Sequence, residues 1–143
     1  MKIRTLFAMP ERIENEIRLM KETRASIRSI AEKTTPEIHC APGSCSTSPR
    51  KLENLVIKIT ELDGRISEYE MGLAEIRLQI SSCISHLEDT RKSMILELRY
   101  LRDMSFTEIA NEMHYSQRHI YRLHEDALNE LEEKLPEVDA MLN

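Results

Sequence analysis

Four side chains suited to hydrogen bonding with nucleic-acid bases follow Ser116, namely Gln117, Arg118, Tyr121 and Arg122. A glutamine amide can pair with adenine through two hydrogen bonds, and an arginine guanidinium can pair with guanine in the same way. A serine at this place favours the start of a helix, because its hydroxyl accepts a backbone hydrogen bond there. The spacing therefore predicts a helix that presents its first exposed residues to the major groove of double-stranded DNA.

Other candidate contacts lie on both sides of this segment. His119 would occupy the third position of the helix, within reach of a base or a phosphate. Phosphates would be held by some of the upstream basic residues and by the backbone amides that begin the helix. Those upstream residues are Arg91, Lys92, Arg99 and Arg102. The predicted DNA-binding set is Ser116, Gln117, Arg118, His119, Tyr121, Arg122, Arg99 and Arg102.

Two short helices joined by a tight turn are predicted to position these residues. Ser105 and Glu108 have the spacing of a capping box at the start of the first helix. Ser116 would cap the second helix, with Tyr115 and Ile120 in the positions of a hydrophobic staple. The predicted buried sides of the pair are formed by Phe106, Ile109, Ala110, Met113, Ile120, Leu123, Ala127, Leu128 and Leu131.

Residues 91–131 resemble region 4, the promoter-recognising C-terminal region of bacterial sigma factors. The matching positions are Leu98, Arg99, Tyr100, Ser105, Glu108, Ile109, Ala110, Ser116, Ala127 and Leu128. Residues 49–131 look like a family of small sigma-region-4-like proteins of phages and prophages, similar to regulators of the ArpU and RinA type. That resemblance implies control of late or structural gene transcription. An autonomous sigma factor is not expected, because no segment resembles the regions that melt a promoter or bind the polymerase coiled coil.

Upstream of this pair the sequence predicts long helices. Apolar residues recur at helical spacing from Pro10 onward, at Ile13, Ile17, Met20, Ile27 and Ile30. A stricter heptad seam follows, formed by Leu52, Leu55, Ile59, Leu62, Ile66, Tyr69, Leu73, Ile76, Ile80, Cys83 and Leu87. Such a seam packs against a partner helix, which is either the first helix folded back or the same helix of a second chain.

The predicted fold class is therefore all-α, a long coiled-coil or hairpin region followed by a helix-turn-helix domain. A helical break is expected near Ser85 to Asp89, after which helix resumes through Leu101 and buries Met94, Ile95, Leu98 and Leu101. The predicted domains are an N-terminal helix at 1–33, a flexible linker at 34–49, a long helix at 50–88, the helix-turn-helix domain at 89–135 and a tail at 136–143.

The chemistry of an enzyme is not expected. Three glycines cannot build a phosphate loop, and no nucleophile elbow or His-Glu-x-x-His motif is present. His39, Cys40 and Cys45 lack a fourth zinc ligand unless Cys83 or a second chain supplies one, so no metal or cofactor is predicted. The histidines His114, His119 and His124 are expected at the surface or facing DNA.

Composition indicates where the protein acts. The 143 residues include no apolar run long enough for a membrane span, and three cysteines fit a reducing compartment, which favours a cytoplasmic protein.

The predicted partners are double-stranded DNA, a second copy in a homo-oligomer (a dimer is favoured) and, as a further candidate, RNA polymerase. Two alternatives stay open: a DNA-packaging protein like a small terminase subunit, and an adaptor that binds polymerase or a sigma factor without DNA. The net charge of −5 is compatible with the adaptor, while the DNA-binding regulator remains the leading hypothesis.

Overall fold

A computed structural model describes residues 1–34 and 49–136, which contain helices and no strand. The helices are α1 (Ile3–Thr34), α2 (Pro49–Ile84), α3 (Thr90–Leu96), α4 (Phe106–Met113) and α5 (Gln117–Lys134). A π-helical turn, Glu97–Leu101, continues α3. These elements confirm the all-α class. The predicted linker and tail lie outside the described residues, apart from the residues at their edges, and so do Cys40 and Cys45.

Helix α1 begins at Ile3, inside the predicted N-terminal helix at 1–33 but before Pro10, where the apolar pattern starts. Proline lacks a backbone N–H, so the interior position of Pro10 leaves the carbonyl of Leu6 without its usual helical donor. Tertiary burial stabilises this first part of the helix instead. Ile3 and Leu6 are each 1% exposed and Phe7 is 2% exposed.

One compact unit spans Ile13–Gly72 and contains α1 from Ile13 onward and α2 as far as Gly72. Ile17 and Met20 of α1 are buried, as are Leu62 and Ile66 of the heptad seam. Arg24, which interrupts the apolar pattern of α1, donates to Asp63 across 2.6 Å. In this unit the seam therefore lies against α1 of the same chain, which is one of the two partners that the sequence left open.

Near the C-terminal end of α1 the apolar residues are more exposed than those earlier in the helix. Ile30 is 50% exposed, although it falls in the predicted apolar stripe. Ile27, one turn earlier, is half-buried. The buried face of α1 thus weakens toward its C-terminal end.

The second compact unit joins Met1–Arg12 with Leu73–Asn143 and contains two hydrophobic cores. The first core brings the start of α1 against the end of α2 and against α5, and consists of Ile3, Leu6, Phe7, Ile80, Cys83, Ile84, Leu87, Leu96, Ala127, Leu128, Leu131 and Leu135. The second core lies inside the helix-turn-helix and consists of Ile95, Leu98, Ile109, Ala110, Ile120 and Leu123. Helix α5 contributes to both cores, so packing fixes its position on two sides.

The predicted break before α3 is confirmed, and Asp89 caps the helix by accepting from the backbone N–H of Arg91 at 2.9 Å. The prediction that Met94 is buried is wrong, because Met94 is 42% exposed. The two residues after it explain the difference, since Ile95 faces the second core and Leu96 faces the first. Because Ile95 and Leu96 occupy the two faces of the helix that meet the cores, the side chain of Met94 lies on the solvent-exposed face.

Candidate nucleic-acid interface

Helix α4 begins with the predicted capping box. The Ser105 hydroxyl accepts from the backbone N–H of Glu108 at 3.2 Å, and the Glu108 carboxylate accepts from the backbone N–H of Ser105 at 3.0 Å. Two donors that a helix start would otherwise leave unpaired are satisfied in this way. The capping box is therefore confirmed, and it fixes where α4 starts.

The turn after α4 is a tight reversal centred on His114. This residue has a left-handed backbone with φ 58°, and the next backbone N–H, that of Tyr115, donates to the carbonyl of Ala110 at 3.0 Å. That six-residue bond is the mark of a Schellman ending. Ser116 then caps α5, its hydroxyl accepting from the backbone N–H of His119 at 3.2 Å. The predicted start of the second helix is confirmed.

Because His114 is exposed and left-handed, the replacement His114→Gly is expected to raise the free energy of unfolding. The left-handed conformation costs a residue with a Cβ about 1–2 kcal/mol, and glycine removes this cost. Glycine also loses more conformational entropy on folding, which offsets roughly half of the stabilisation. We expect a net stabilisation of about 0.5–1 kcal/mol. Urea unfolding measures it, with His114→Ala as the control that removes the imidazole but keeps the strain. A glycine variant no more stable than the alanine variant would contradict the prediction.

The exposed side of α5 carries the predicted contact residues. Gln117, Arg118, Tyr121 and Arg122 are all exposed. In the part of the chain that the structure describes, Arg118 and Arg122 have no hydrogen-bonding or ion-pair partner, so their guanidinium groups are available to a ligand. Arginine without a protein partner can still offer its full set of five donors.

Two of the predicted residues are held in place by neighbours on α4. The Gln117 amide donates to the Thr107 hydroxyl at 2.7 Å. The ring centroid of Tyr121 lies 4.5 Å from that of Phe106. Sequence reasoning missed Thr107, whose only signal is its place in the first turn of α4. These contacts pre-orient the first two turns of α5 before any ligand is bound.

The other three predicted residues differ in availability. His119 is half-buried, with its ring edge-on to Tyr115 at 4.9 Å. Arg102 is exposed. Arg99 is turned inward: its guanidinium lies 4.7 Å from the centroid of the Phe106 ring and donates to the carbonyl of Met104 at 3.2 Å. Arg99 thus joins the π-helical turn to the start of α4.

The remaining upstream cations are paired within the chain. Arg91 lies 3.4 Å from the Asp89 carboxylate, and its pKa is raised by that hydrogen bond. Lys92 lies 3.0 Å from Glu130 of α5. A phosphate would have to compete with these carboxylates, which makes both residues weaker candidates than Arg102.

His124 is buried, which corrects the prediction that it lies at the surface. It is 7% exposed. Its Nε2 lies within hydrogen-bond distance of the Tyr100 hydroxyl, at 2.8 Å, and its ring is edge-on to Phe106 at 5.0 Å. Burial lowers the pKa of His124, with smaller contributions from Arg99 and Arg4, while Glu125 opposes the shift. The histidine serves packing between α5 and the π-helical turn.

The lowered pKa of His124 predicts acid sensitivity of the fold. Because the folded state favours the neutral ring, its stabilising contribution is complete above the unfolded pKa of about 6.5 and is lost as the pH falls through the lower folded pKa. The melting temperature is expected to fall below about pH 6.5, and less steeply in His124→Gln, whose amide oxygen can replace Nε2 as acceptor. Exposed His114→Gln is the control and should melt like the native chain. Identical pH profiles for all three proteins would contradict the prediction.

No group of three or more metal-binding side chains is present in the described ranges 1–34 and 49–136. His39 and the thiols of Cys40 and Cys45 fall between these ranges. None of the described helices is long and apolar enough to cross a membrane.

Comparison with known families identifies the same part of the chain. Residues 83–133 match the model of the family described as Sigma-70, region 4. No curated protein and no solved structure matches the chain. The matched segment starts within the last two residues of α2 and contains α3, α4, the turn at His114 and nearly all of α5. The chain therefore carries a C-terminal sigma-region-4-like domain, a helix-turn-helix of the DNA-binding kind.

Proposed function

We propose that this protein is a sequence-specific DNA-binding regulator of transcription, with the first turns of α5 in the major groove. The observation that carries the proposal is the exposure of Gln117, Arg118, Tyr121 and Arg122 on one capped helix of a sigma-region-4-like domain. Such a helix presents its N-terminal residues to base edges. The available arginines supply the donors that base and phosphate contacts need.

The proposed roles follow the availability of each side chain. Gln117, Arg118 and Arg122 contact base edges, and Tyr121 packs against a base or sugar beside them. Arg102 and the backbone amides after Ser116 hold phosphates. His119 adds a contact from its exposed edge. Arg99 acts as a positioning residue, because its guanidinium already joins the π-helical turn to the start of α4.

The C-terminal part of α5 supports this orientation. Glu125 and Glu132 both lie 3.1 Å from Arg4, and Glu130 lies between Lys92 and Lys134 at 3.0 and 2.9 Å. Because these cations are held by carboxylates, they are poor ligands for a DNA phosphate, and this end of α5 is best placed away from the duplex. The groove would then meet only the N-terminal turns of the helix.

We further propose that the regulated genes are those of a phage or prophage, since residues 49–131 resemble regulators of the ArpU and RinA type. The protein would act in the cytoplasm of a bacterial host. A homodimer would double the base and phosphate contacts that one small domain can make. RNA polymerase is a further proposed partner, because the domain resembles region 4 of bacterial sigma factors, which work together with the polymerase.

Selection of duplexes from a random library, followed by fluorescence anisotropy on the enriched sequence, tests the proposal. The affinity is expected to fall steeply as the salt concentration rises, because phosphate contacts release counterions from DNA. A scrambled duplex of the same composition is the control and should bind more weakly. Failure to enrich any sequence, together with salt-insensitive binding to purified RNA polymerase, would support the adaptor function and contradict this one.

A further inference from the structure

Of the four exposed candidates on α5, Gln117 is the one that a hydrogen bond holds from another described helix. Its Nε2 donates to Oγ1 of Thr107 at 2.7 Å, and neither side chain has a second hydrogen-bonding partner within residues 1–34 and 49–136. Both side chains are exposed, and each belongs to the first turn of its helix. The pair therefore lies at the surface proposed to meet DNA, with the rest of the amide open to a ligand.

The backbone of Thr107 is fixed by the capping box at the start of α4. Thr107 lies between Ser105 and Glu108, whose reciprocal hydrogen bonds at 3.2 and 3.0 Å define this turn. A β-branched side chain also has few rotamers in a helix. Oγ1 of Thr107 therefore occupies a restricted position, and the amide bonded to it is restricted as well.

The chemistry of the amide allows this bond and a base pairing at the same time. A glutamine amide has two N–H donors and one carbonyl oxygen. When it pairs with adenine, Oε1 accepts from N6–H, and the N–H on the same side as Oε1 donates to N7. The second N–H points away from the base and needs another acceptor, which Oγ1 of Thr107 is placed to be. The bond to Thr107 and a pair with adenine therefore use different atoms of the Gln117 amide.

The same bond disfavours guanine. On its major-groove edge guanine presents two acceptors, N7 and O6. With one N–H committed to Thr107, the Gln117 amide has a single donor left, and its Oε1 would face the O6 acceptor. An arginine, which has five donors and no acceptor, is suited to guanine instead. Gln117 is therefore expected to contact a different base from Arg118 and Arg122.

We infer that Thr107 is a positioning residue that holds Gln117 as a reader of adenine, so that the bound DNA site carries an A·T pair where Gln117 meets it. The inference rests on the proposed DNA binding and adds the identity of one base and of the residue that sets it. A side chain that is ordered before binding loses less conformational entropy in the complex. The Thr107 hydroxyl therefore contributes to discrimination between bases, and the phosphate contacts do not depend on it.

Fluorescence anisotropy of the full chain on variants of the enriched duplex tests the choice of base. The position that Gln117 reads is the one where base substitution lowers the affinity of the native protein but not that of Gln117→Ala. At that position the native protein should bind adenine about 10-fold more tightly than guanine or 7-deazaadenine, which lacks the N7 acceptor. Preference for another base there, or no position that depends on Gln117, would overturn the inference.

Replacements of Thr107 separate positioning from folding. Thr107→Val keeps the shape of the side chain but removes the hydroxyl, and the preference for adenine should fall from about 10-fold to about 3-fold. Thr107→Ser keeps the hydroxyl and should retain most of the preference. Thr60→Val is the matched control, because it removes a hydroxyl that donates to a backbone carbonyl of α2 at 3.0 Å. All these proteins should bind a scrambled duplex equally. An unchanged preference in Thr107→Val would overturn the inference.

The restriction of Gln117 is also measurable without DNA. Nuclear magnetic relaxation of its side-chain amide group reports the order of that group on the ps–ns timescale. The order should fall in Thr107→Val and stay near the native value in Thr107→Ser and Thr60→Val. Unchanged order in Thr107→Val would overturn the positioning role even in a protein that binds DNA. A restricted amide in a protein that binds no duplex would instead contradict the proposed function, and the adenine assignment with it.

Discussion

The double replacement Arg118→Ala with Arg122→Ala is expected to reduce affinity for the selected duplex by at least about 30-fold. Each arginine that pairs with a base contributes about 1–3 kcal/mol of discrimination, so losing both corresponds to about 2 kcal/mol or more. Neither side chain has a partner among the described residues, so the fold should be unaffected. Anisotropy gives the affinity, and circular dichroism checks the helix content.

A charge-matched control separates local contact from general electrostatics. Arg18 and Arg28 are exposed on α1, and replacing both with alanine removes the same two charges. If the duplex affinity depended only on net charge, both double variants would lose it equally. Our proposal requires a large loss at α5 and a small one at α1. Equal losses, or unchanged binding of the α5 variant, would contradict the assignment of these residues to the groove.

Much of the helix-turn-helix could be predicted because its signals are local. Ser105 and Glu108 lie within one helical turn, so their reciprocal hydrogen bonds follow from spacing alone. The hydroxyl of Ser116 likewise reaches a backbone N–H of the same turn. Once the two helix starts are known, helical periodicity alone places Arg118 and Arg122 on the outside of α5.

The side chains that the sequence misplaced depend on distant neighbours. Arg99 looks like any exposed cation until α4 brings the Phe106 ring beneath it. His124 follows Arg122 by two positions, which turns it to the opposite face of α5, against Tyr100. The burial of His124 does follow from helical spacing, since it lies four residues after Ile120 and four before Leu128, both buried. The partners of the two side chains, Phe106 and Tyr100, are set by tertiary packing.

The burial of the first turns of α1 is the largest feature that the sequence did not indicate. The apolar pattern of the sequence starts at Pro10, and a proline is common in the first turn of a helix. The structure instead places Phe7 in the core that α5 shares with the end of α2. Its ring is edge-on to Tyr100, with centroids 4.8 Å apart. The sequence-distant start of α1 is thus part of the unit that contains the helix-turn-helix.

From this burial we expect Phe7→Ala to lower the free energy of unfolding by about 3–5 kcal/mol. Removing a fully buried phenylalanine loses its transfer free energy and leaves a cavity that the core fills only in part. Small domains are stable by only about 5–15 kcal/mol, so the loss is a large fraction of the total. Chemical denaturation, followed by circular dichroism, measures the change.

The control is Leu19→Ala on the same helix, where the leucine is 54% exposed and a change within about 0.5–1 kcal/mol is expected. Duplex binding gives a second readout, because α5 loses a packing partner in Phe7→Ala but keeps every contact residue. Affinity measured well below the melting temperature should therefore stay close to that of the native protein, while the temperature at which binding is lost should fall. If Phe7→Ala unfolded no more easily than Leu19→Ala, the start of α1 could not be packed against α5 as the core requires.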